Sequence, residues 1–375
     1  MKKTRICCFT ELWESGGIEA FLCGVLSGID FERTEVDIVS ARIGHSIFTA
    51  PLKDMGVRFL ELSSNPRSPK NHALFAKLVK ERKYDIIHFN LFQAFAFYYV
   101  HQAKTLGVKY RIVHAHGAGL RKSRLLPLKM HLHRLGIRLW KKDITAKLAC
   151  SDEAAEFLFG ERADEIINNG IDTKKFAYFE ESRKKARKEL GIDENAAVVG
   201  HVGRLSGQKN QKFLIDVHSR LVKTIPDVRL LLVGDGHLRD ELAEYAKALG
   251  VSDSVILYGP STDIPSLMSA MDVFAFPSTI EGFGIVAAEA QASGLPTVCS
   301  EIIPSSAYLT SLAECIPLER GADGWAKRIG ELLANKAMRR SPTDEIVASG
   351  FDISNTIEQM KKYYQEEKKN EAEYV

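Results

Sequence analysis

The chain has 375 residues, 45% of them hydrophobic and 26% charged, with a formal net charge of +3. That length suits two domains of ordinary size, and the composition is that of a soluble globular protein. The small net charge gives no argument for nucleic acid as a partner.

Six cysteines, Cys7, Cys8, Cys23, Cys150, Cys299 and Cys315, are scattered mostly through apolar runs, and no pair has metal-site spacing. They read as buried free thiols of a reducing cytosol. The N-terminus, MKKTRICCFTELW, opens like a signal peptide, but its apolar core is only a few residues long and reads as a first strand. No apolar stretch reaches the length of a membrane span; residues 89–100 come closest and are too short and too polar. The expected location is cytoplasmic, soluble or peripheral at the inner membrane face.

The first half alternates strand and helix signals. Strands are expected at 5–9, 35–39, 57–62, 85–89, 110–116 and 146–150, with helices at 18–26, 72–82, 93–106 and from residue 152. Between them, the turn from Thr10 to Glu19 carries Gly16-Gly17 directly before a helix, where bare amides can face a phosphate. It lacks the glycine spacing of a dinucleotide fingerprint. The strand at 110–116 ends in His114-Ala115-His116, and alternation puts the two histidines on one face. The most polarised stretch is 121–142, eight Lys and Arg residues interleaved with leucines, with no carboxylate before Asp143. A basic amphipathic helix of this kind suits an anionic membrane surface or a lipid-phosphate acceptor. The plainer reading is a solvated basic face over a core stripe.

The pattern then restarts. Residues 167–172 are turn-rich and precede a highly charged helix expected over 174–190. The boundary is placed there, giving domains 1–168 and 169–353. Strands recur at 196–202, 228–233, 254–258, 273–276 and 297–300 with helices between, and a last amphipathic helix starts near Ser354, its expected cap. Strands separated by helices in both halves indicate two parallel, doubly wound α/β sheets.

Two loops of the second half carry chemistry. In Gly203-Arg204-Leu205-Ser206-Gly207-Gln208-Lys209-Asn210, Arg204 offers a planar fork of donors and Lys209 a compact charge, together able to neutralise a diphosphate. Downstream, a buried strand ending at Phe276 leads to Glu281-Gly282-Phe283-Gly284, a helix over 285–292, and a Gly294 stop with Pro296 behind it. The helix N-terminus attracts phosphate, and the glycines allow close approach to the backbone. Glu281 and Glu289 flank that turn and can accept hydrogen bonds from hydroxyls. A ligand with hydroxyls at both ends and phosphates between fits, and a nucleotide-sugar has that layout. The plainer reading is an ordinary βαβ unit with two solvated glutamates.

Glu281, seven residues, then Glu289, with EGFG in front and GLP behind, resembles the signature of retaining GT-B glycosyltransferases of family 4. The GRL…KN loop matches the same family closely, and the GGxE turn at Gly16 and Gly17 and the histidine at His116 match it more loosely. The resemblance implies two Rossmann-like domains facing a cleft, an N-terminal acceptor-binding domain and a C-terminal nucleotide-sugar domain, with helix 354–375 packing back on the first. It implies that Glu281 contacts the donor hexose and Glu289 the ribose. The amides of Gly282, Phe283 and Gly284, with Gly203, Gly16 and Gly17, would hold the diphosphate, and His116 would lie near the sugar. Gly234-Asp235-Gly236 corresponds to a strand-to-helix step of the family, and residues 258–260 lie where the base docks.

No Asp-x-Asp pair occurs anywhere in the chain. The metal-dependent glycosyltransferases of the other major fold use that pair to hold a cation on the diphosphate. Arg204 and Lys209 are expected to take its place, with no metal and no cofactor. The implied function is transfer of a hexose from a nucleoside-diphosphate sugar, with UDP the expected nucleotide, to a glycan or lipid-diphosphate-linked acceptor in cell-surface polysaccharide synthesis. Two alternatives stand beside it: a sugar-nucleotide sensor without turnover, and an NAD-dependent oxidoreductase with tandem Rossmann halves.

Overall fold

In the computed structural model the described residues are 3–14, 16–66, 68–117, 119, 125–335 and 339–365. Two compact units emerge, one of residues 1–170 and 353–375, the other of residues 171–352.

Unit 1 runs β1 (Thr4–Trp13), α1 (Gly17–Leu26), β2 (Thr34–Ile43), α2 (Thr49–Asp54), β3 (Arg58–Glu61), α3 (Lys70–Arg82) and β4 (Ile86–Leu91). It continues through α4 (Phe97–Thr105), β5 (Tyr110–Ala115), α5 (Leu126–Trp140), β6 (Ala146–Ala149), α6 (Asp152–Phe159) and β7 (Glu165–Ile166). All seven strands are parallel in the order β3-β2-β1-β4-β5-β6-β7. Both faces are covered, so the central strands are apolar throughout, as in β4, where every residue is buried. Local chemistry sets the helix ends: Ser151 caps α6 by accepting from Ala154 N at 3.2 Å, and Gly160, at φ +67°, stops it.

Unit 2 runs α7 (Glu180–Glu189), β8 (Val198–Val202), α8 (Gln211–Leu221), β9 (Arg229–Val233), α9 (Arg239–Ala248), β10 (Val255–Gly259), α10 (Ile264–Ala270) and β11 (Val273–Phe276). Then come α11 (Ile285–Ala292), β12 (Thr297–Cys299), β13 (Ala313–Cys315), α12 (Gly321–Ala334) and α13 (Thr343–Ala348). Its six strands are again all parallel, in the order β10-β9-β8-β11-β12-β13. The chain returns to unit 1 as α14 (Ile353–Gln365), which seats Met360 and Tyr364 among Ile6, Cys8 and Phe21. The Tyr364 hydroxyl lies 2.7 Å from His88 Nδ1.

Several local expectations change. β1 does not turn at Thr10 but continues to Trp13, because it pairs with β2 as far as Ile43. α7 begins only at Glu180, six residues later than the charge pattern implies, since the apolar side chains Ile171 and Phe176 are drawn into the core of unit 2. Ser354 lies inside α14 rather than capping it. The cysteines are all free, but Cys315 is exposed and Cys23 half-buried. Residues 121–124 of the basic stretch and 366–375 of the last expected helix lie outside the described residues. Among the described residues no helix is long and apolar enough to cross a membrane.

Candidate functional site

In each sheet the strand order reverses once, between β1 and β4 in unit 1 and between β8 and β11 in unit 2. Ligands of doubly wound sheets bind outside the carboxyl ends of the strands at that switch point. The two motif loops of unit 2 leave those two strands: residues 203–210 follow β8, and residues 277–284 follow β11.

The structure joins them. Lys209 Nζ lies 2.5 Å from Glu281 Oε2, between residues 72 positions apart, with side chains only 20% and 17% exposed. The same ammonium sits 4.7 Å from the centre of the Phe276 ring. Backbone contacts hold the loops in register, with Thr279 N donating to Gln208 O at 2.8 Å and Asn210 Nδ2 to Pro277 O at 3.3 Å. Asn210 adopts the left-handed conformation, φ +55°, immediately before α8.

Beneath this lies a polar brace that sequence reasoning missed. His201 is fully buried, and burial pushes its pKa down to about 4, so the ring is neutral. Its Nδ1 donates to Ala275 O at 2.9 Å, which leaves Nε2 to accept from Gln211 Nε2 at 3.2 Å. Gln211 also donates to Arg204 O at 2.9 Å, and its Oε1 accepts from Ser206 N at 3.3 Å. One buried histidine and one buried amide thus tie β11 to the Arg204 loop. A polar residue at a strand centre, followed ten residues later by a glutamine at a helix start, is the only trace of this in the sequence.

The glycines have separate causes. Gly234, at φ +134°, has no room for a Cβ, which would stand 2.1 Å from Gly203 O; one at Gly236 would stand 2.2 Å from Leu205 O. The Gly234–Gly236 step therefore lets the Arg204 loop pack backbone against backbone. Gly284 begins α11 from the left-handed region, φ +85° and ψ +49°. Gly282 is exposed. Phe283 is buried and stacks on Phe351 at 5.1 Å, so its backbone amide, the group expected to meet a ligand, is what it can offer. Arg204 is exposed at the edge of its loop.

Glu289 lies on α11, half-buried yet surrounded by enough protein that desolvation pushes its pKa up to about 8, with Lys175 pulling it back. Because the folded value lies above the ordinary 4.5, this carboxyl contributes stability that is fully present below pH 4.5 and is lost as pH rises toward 8. Glu289→Gln, which mimics the protonated form, is expected to match the wild type in thermal denaturation near pH 4.5 and to melt higher above pH 8. Equal melting at both pH values would contradict the shift.

In unit 1, Gly16 is the N-cap of α1 in extended geometry, and Gly17 opens the helix. A Cβ on Gly16 would meet the Glu19 carboxylate at 2.9 Å, whereas nothing crowds Gly17. Glu19 is buried and accepts from Glu14 N at 3.0 Å. His116 follows β5, half-buried, with Nε2 at 2.8 Å from Asn90 Oδ1. Asn90 Nδ2 donates to His88 O at 3.2 Å, which fixes that amide's orientation and makes His116 Nε2 the proton-bearing nitrogen. Burial, aided by His88, lowers the His116 pKa to about 3, so it acts as a neutral ring with Nδ1 as acceptor. His114 is fully buried between Phe21, His88 and His116. Glu11, which no motif singled out, lies on β1 one residue past its last pairing with β4, beside the switch point. Its carboxyl is pushed up by burial and takes a hydrogen bond from Gln93 Nε2 at 3.2 Å.

The arrangement matches known proteins. The family described as "Glycosyltransferase Family 4" matches residues 15–175, and "Glycosyl transferases group 1" matches residues 182–346, so the two span nearly the whole chain. EpsF of Bacillus subtilis strain 168, a glycosyltransferase by its name, is 27% identical over 359 residues, 91% of each chain. A UDP-Gal:alpha-D-GlcNAc-diphosphoundecaprenol alpha-1,3-galactosyltransferase of Escherichia coli is 28% identical over 301 residues, 77% of each chain. HepE of Anabaena, solved with UDP and glucose, superposes with a TM-score of 0.77 at 24% identity, covering 96% of this chain and 98% of its own. With two Rossmann-like parallel sheets and these matches along both halves, the chain belongs to the family 4 glycosyltransferases of the GT-B fold.

Proposed function

We propose that the enzyme transfers a hexose, with retention at the anomeric carbon, from a UDP-sugar to a hydroxyl of a glycan or lipid-diphosphate-linked acceptor in cell-surface polysaccharide synthesis. The observation that carries this reading is the Lys209–Glu281 pair at the switch point of unit 2, beside the Gly284 start of α11. On this reading Lys209 is the cation for the leaving diphosphate and Glu281 the carboxylate for the sugar hydroxyls. HepE, solved with UDP and glucose, supports the donor class. The galactosyltransferase named for a diphosphoundecaprenol-linked acceptor supports the acceptor class.

In this mechanism Arg204 and Lys209 neutralise the charge that builds on the departing diphosphate, a contribution to rate as well as to binding. The acceptor hydroxyl attacks the anomeric carbon from the leaving-group side. The bond from that carbon to the phosphate oxygen breaks, and the phosphate oxygen takes the acceptor's proton. Glu281 orients the hexose, Glu289 holds the ribose, and neutral His116 accepts a hydrogen bond from the sugar. No metal is required.

The test is nucleoside diphosphate release from UDP-, GDP-, ADP- and dTDP-sugars in EDTA, with Glu281→Ala and Arg204→Ala alongside. Release from one UDP-sugar, resistant to EDTA and lost in both variants, is the expected result. Binding without release, even with lipid-linked glycan acceptors supplied, would favour a sensor. Preference for another nucleotide, or loss in EDTA, would overturn the donor or the metal-free part.

A further inference from the structure

We propose that the outward face of α5 is a docking surface for an anionic lipid bilayer. Its leucine row would enter the acyl boundary while its arginines meet the headgroups. This rests on surface geometry alone and needs no part of the catalytic reading.

The orientation of α5 is fixed from within. Gly136 lies so close to the turn before α4 that a Cβ there would stand 2.1 Å from Ala94 O. His133, also buried, takes a hydrogen bond from Ala94 N at 3.0 Å, and its Nε2 lies 2.8 Å from Phe157 O. That settles which side faces solvent. On it stand Leu125, Leu128, Leu132, Leu135 and Leu139, exposed by 59%, 54%, 42%, 40% and 42%. Steps of three and four residues make them one continuous stripe along a helix of about 22 Å. Phe95, 38% exposed, extends the patch, since its backbone nitrogen lies within 2.9 Å of where a Gly136 Cβ would stand. Single exposed leucines are ordinary, but a contiguous row marks an interaction surface.

Charge selects the occupant. At 100° per residue, Arg134 and Arg138 occupy the sector beside the leucines, and Lys142 follows in the 3-10 turn just past the end of α5. All three are exposed, and among the described residues none has an acidic partner. Lys141, by contrast, is tied to Glu161 at 2.8 Å. The whole stretch 121–142 contains no Asp or Glu. Two copies meeting through this row would bring unneutralised cations together, whereas lipid phosphates supply the missing counter-charge. The helix is too short to cross the bilayer, so it would lie in the interface.

The test is co-sedimentation of the full chain with vesicles of phosphatidylcholine alone, or of phosphatidylcholine and phosphatidylglycerol in equal parts. The expected result is binding to the anionic vesicles only, weakened by salt. Leu128→Ser with Leu132→Ser is expected to lower partitioning roughly tenfold or more. Arg134→Ser with Arg138→Ser is expected to weaken binding and flatten its salt dependence. Because these side chains are exposed, melting curves should match the wild type and certify folding. The proposal fails if the wild type does not bind anionic vesicles or if the variants bind as it does. It also fails if velocity sedimentation shows a dimer that the leucine variant dissociates, since the row would then be a contact between copies.

Discussion

Lys209→Ala is expected to lower turnover by about 10²–10³ and to weaken UDP binding as well. The ammonium is four-fifths buried, held between Glu281 Oε2 at 2.5 Å and the face of Phe276 at 4.7 Å. A charge so placed costs little reorganisation when a diphosphate arrives, and in a partly dehydrated site it acts with more force than in water. Glu281→Ala separates the two roles. Without the carboxylate, Lys209 loses its counter-ion and becomes a stronger anion trap, so UDP is expected to bind as well or better while hexose transfer collapses. Calorimetric titration with UDP, paired with turnover on the active donor, distinguishes these outcomes. Equal losses of UDP affinity in both variants would show that the pair acts only as a structural clamp.

The second large effect is on stability. Arg187→Leu is expected to destabilise unit 2 by about 3–5 kcal/mol, read as a shift of its urea unfolding midpoint. The Arg187 side chain is only 2% exposed. It donates to the carbonyls of Ala270, Asp193, Glu194 and Ala196 at 2.8–3.0 Å and to Asp272 Oδ2 at 2.8 Å. Leucine fills part of the volume but leaves four carbonyls and a carboxylate without that partner. Lysine would not rescue it, because one ammonium cannot match a fork that reaches five acceptors. Arg183, whose Nη2 lies 2.6 Å from Asp272 Oδ1, is more exposed, and its loss should cost less. Asp272 also accepts from Val198 N at 2.8 Å, at the start of β8, and stands directly before β11. The network therefore holds in register the two strands whose carboxyl ends carry Lys209 and Glu281.

Much of this was legible in the chain. Short apolar runs separated by amphipathic segments allow only covered parallel sheets, and both sheets have that form. Gly284 and Gly294 announce the start and stop of α11 because each takes a positive φ, +85° and +71°, that side chains rarely adopt. The two loops of unit 2 carried their chemistry in residue type alone, cations in one and carboxylates with glycines in the other. Such signals are local, and a sequence records local preferences directly.

Other features depend on distance through space. That Lys209 meets Glu281 across 72 positions follows from β8 and β11 being neighbours in the sheet, which no spacing along the chain encodes. The neutral state of His201 depends on its burial and its tautomer on Ala275 O and Gln211 arriving at its two nitrogens, while the neutral state of His116 depends on burial beside His88. The clearest case is α5. Its sequence holds two apolar faces, one through Leu126, Met130, Ile137 and Trp140, the other through the leucines at 125, 128, 132, 135 and 139. Period alone cannot choose between them. Packing chooses: buried His133, which lies between Trp140 and Leu126 on the first face, accepts from Ala94 N and lies against Phe157 O, and the leucines are turned to the outside. The sequence by itself determined the layers, the loops and their chemistry; packing decided which groups touch, which are neutral and which apolar face is left to meet something else.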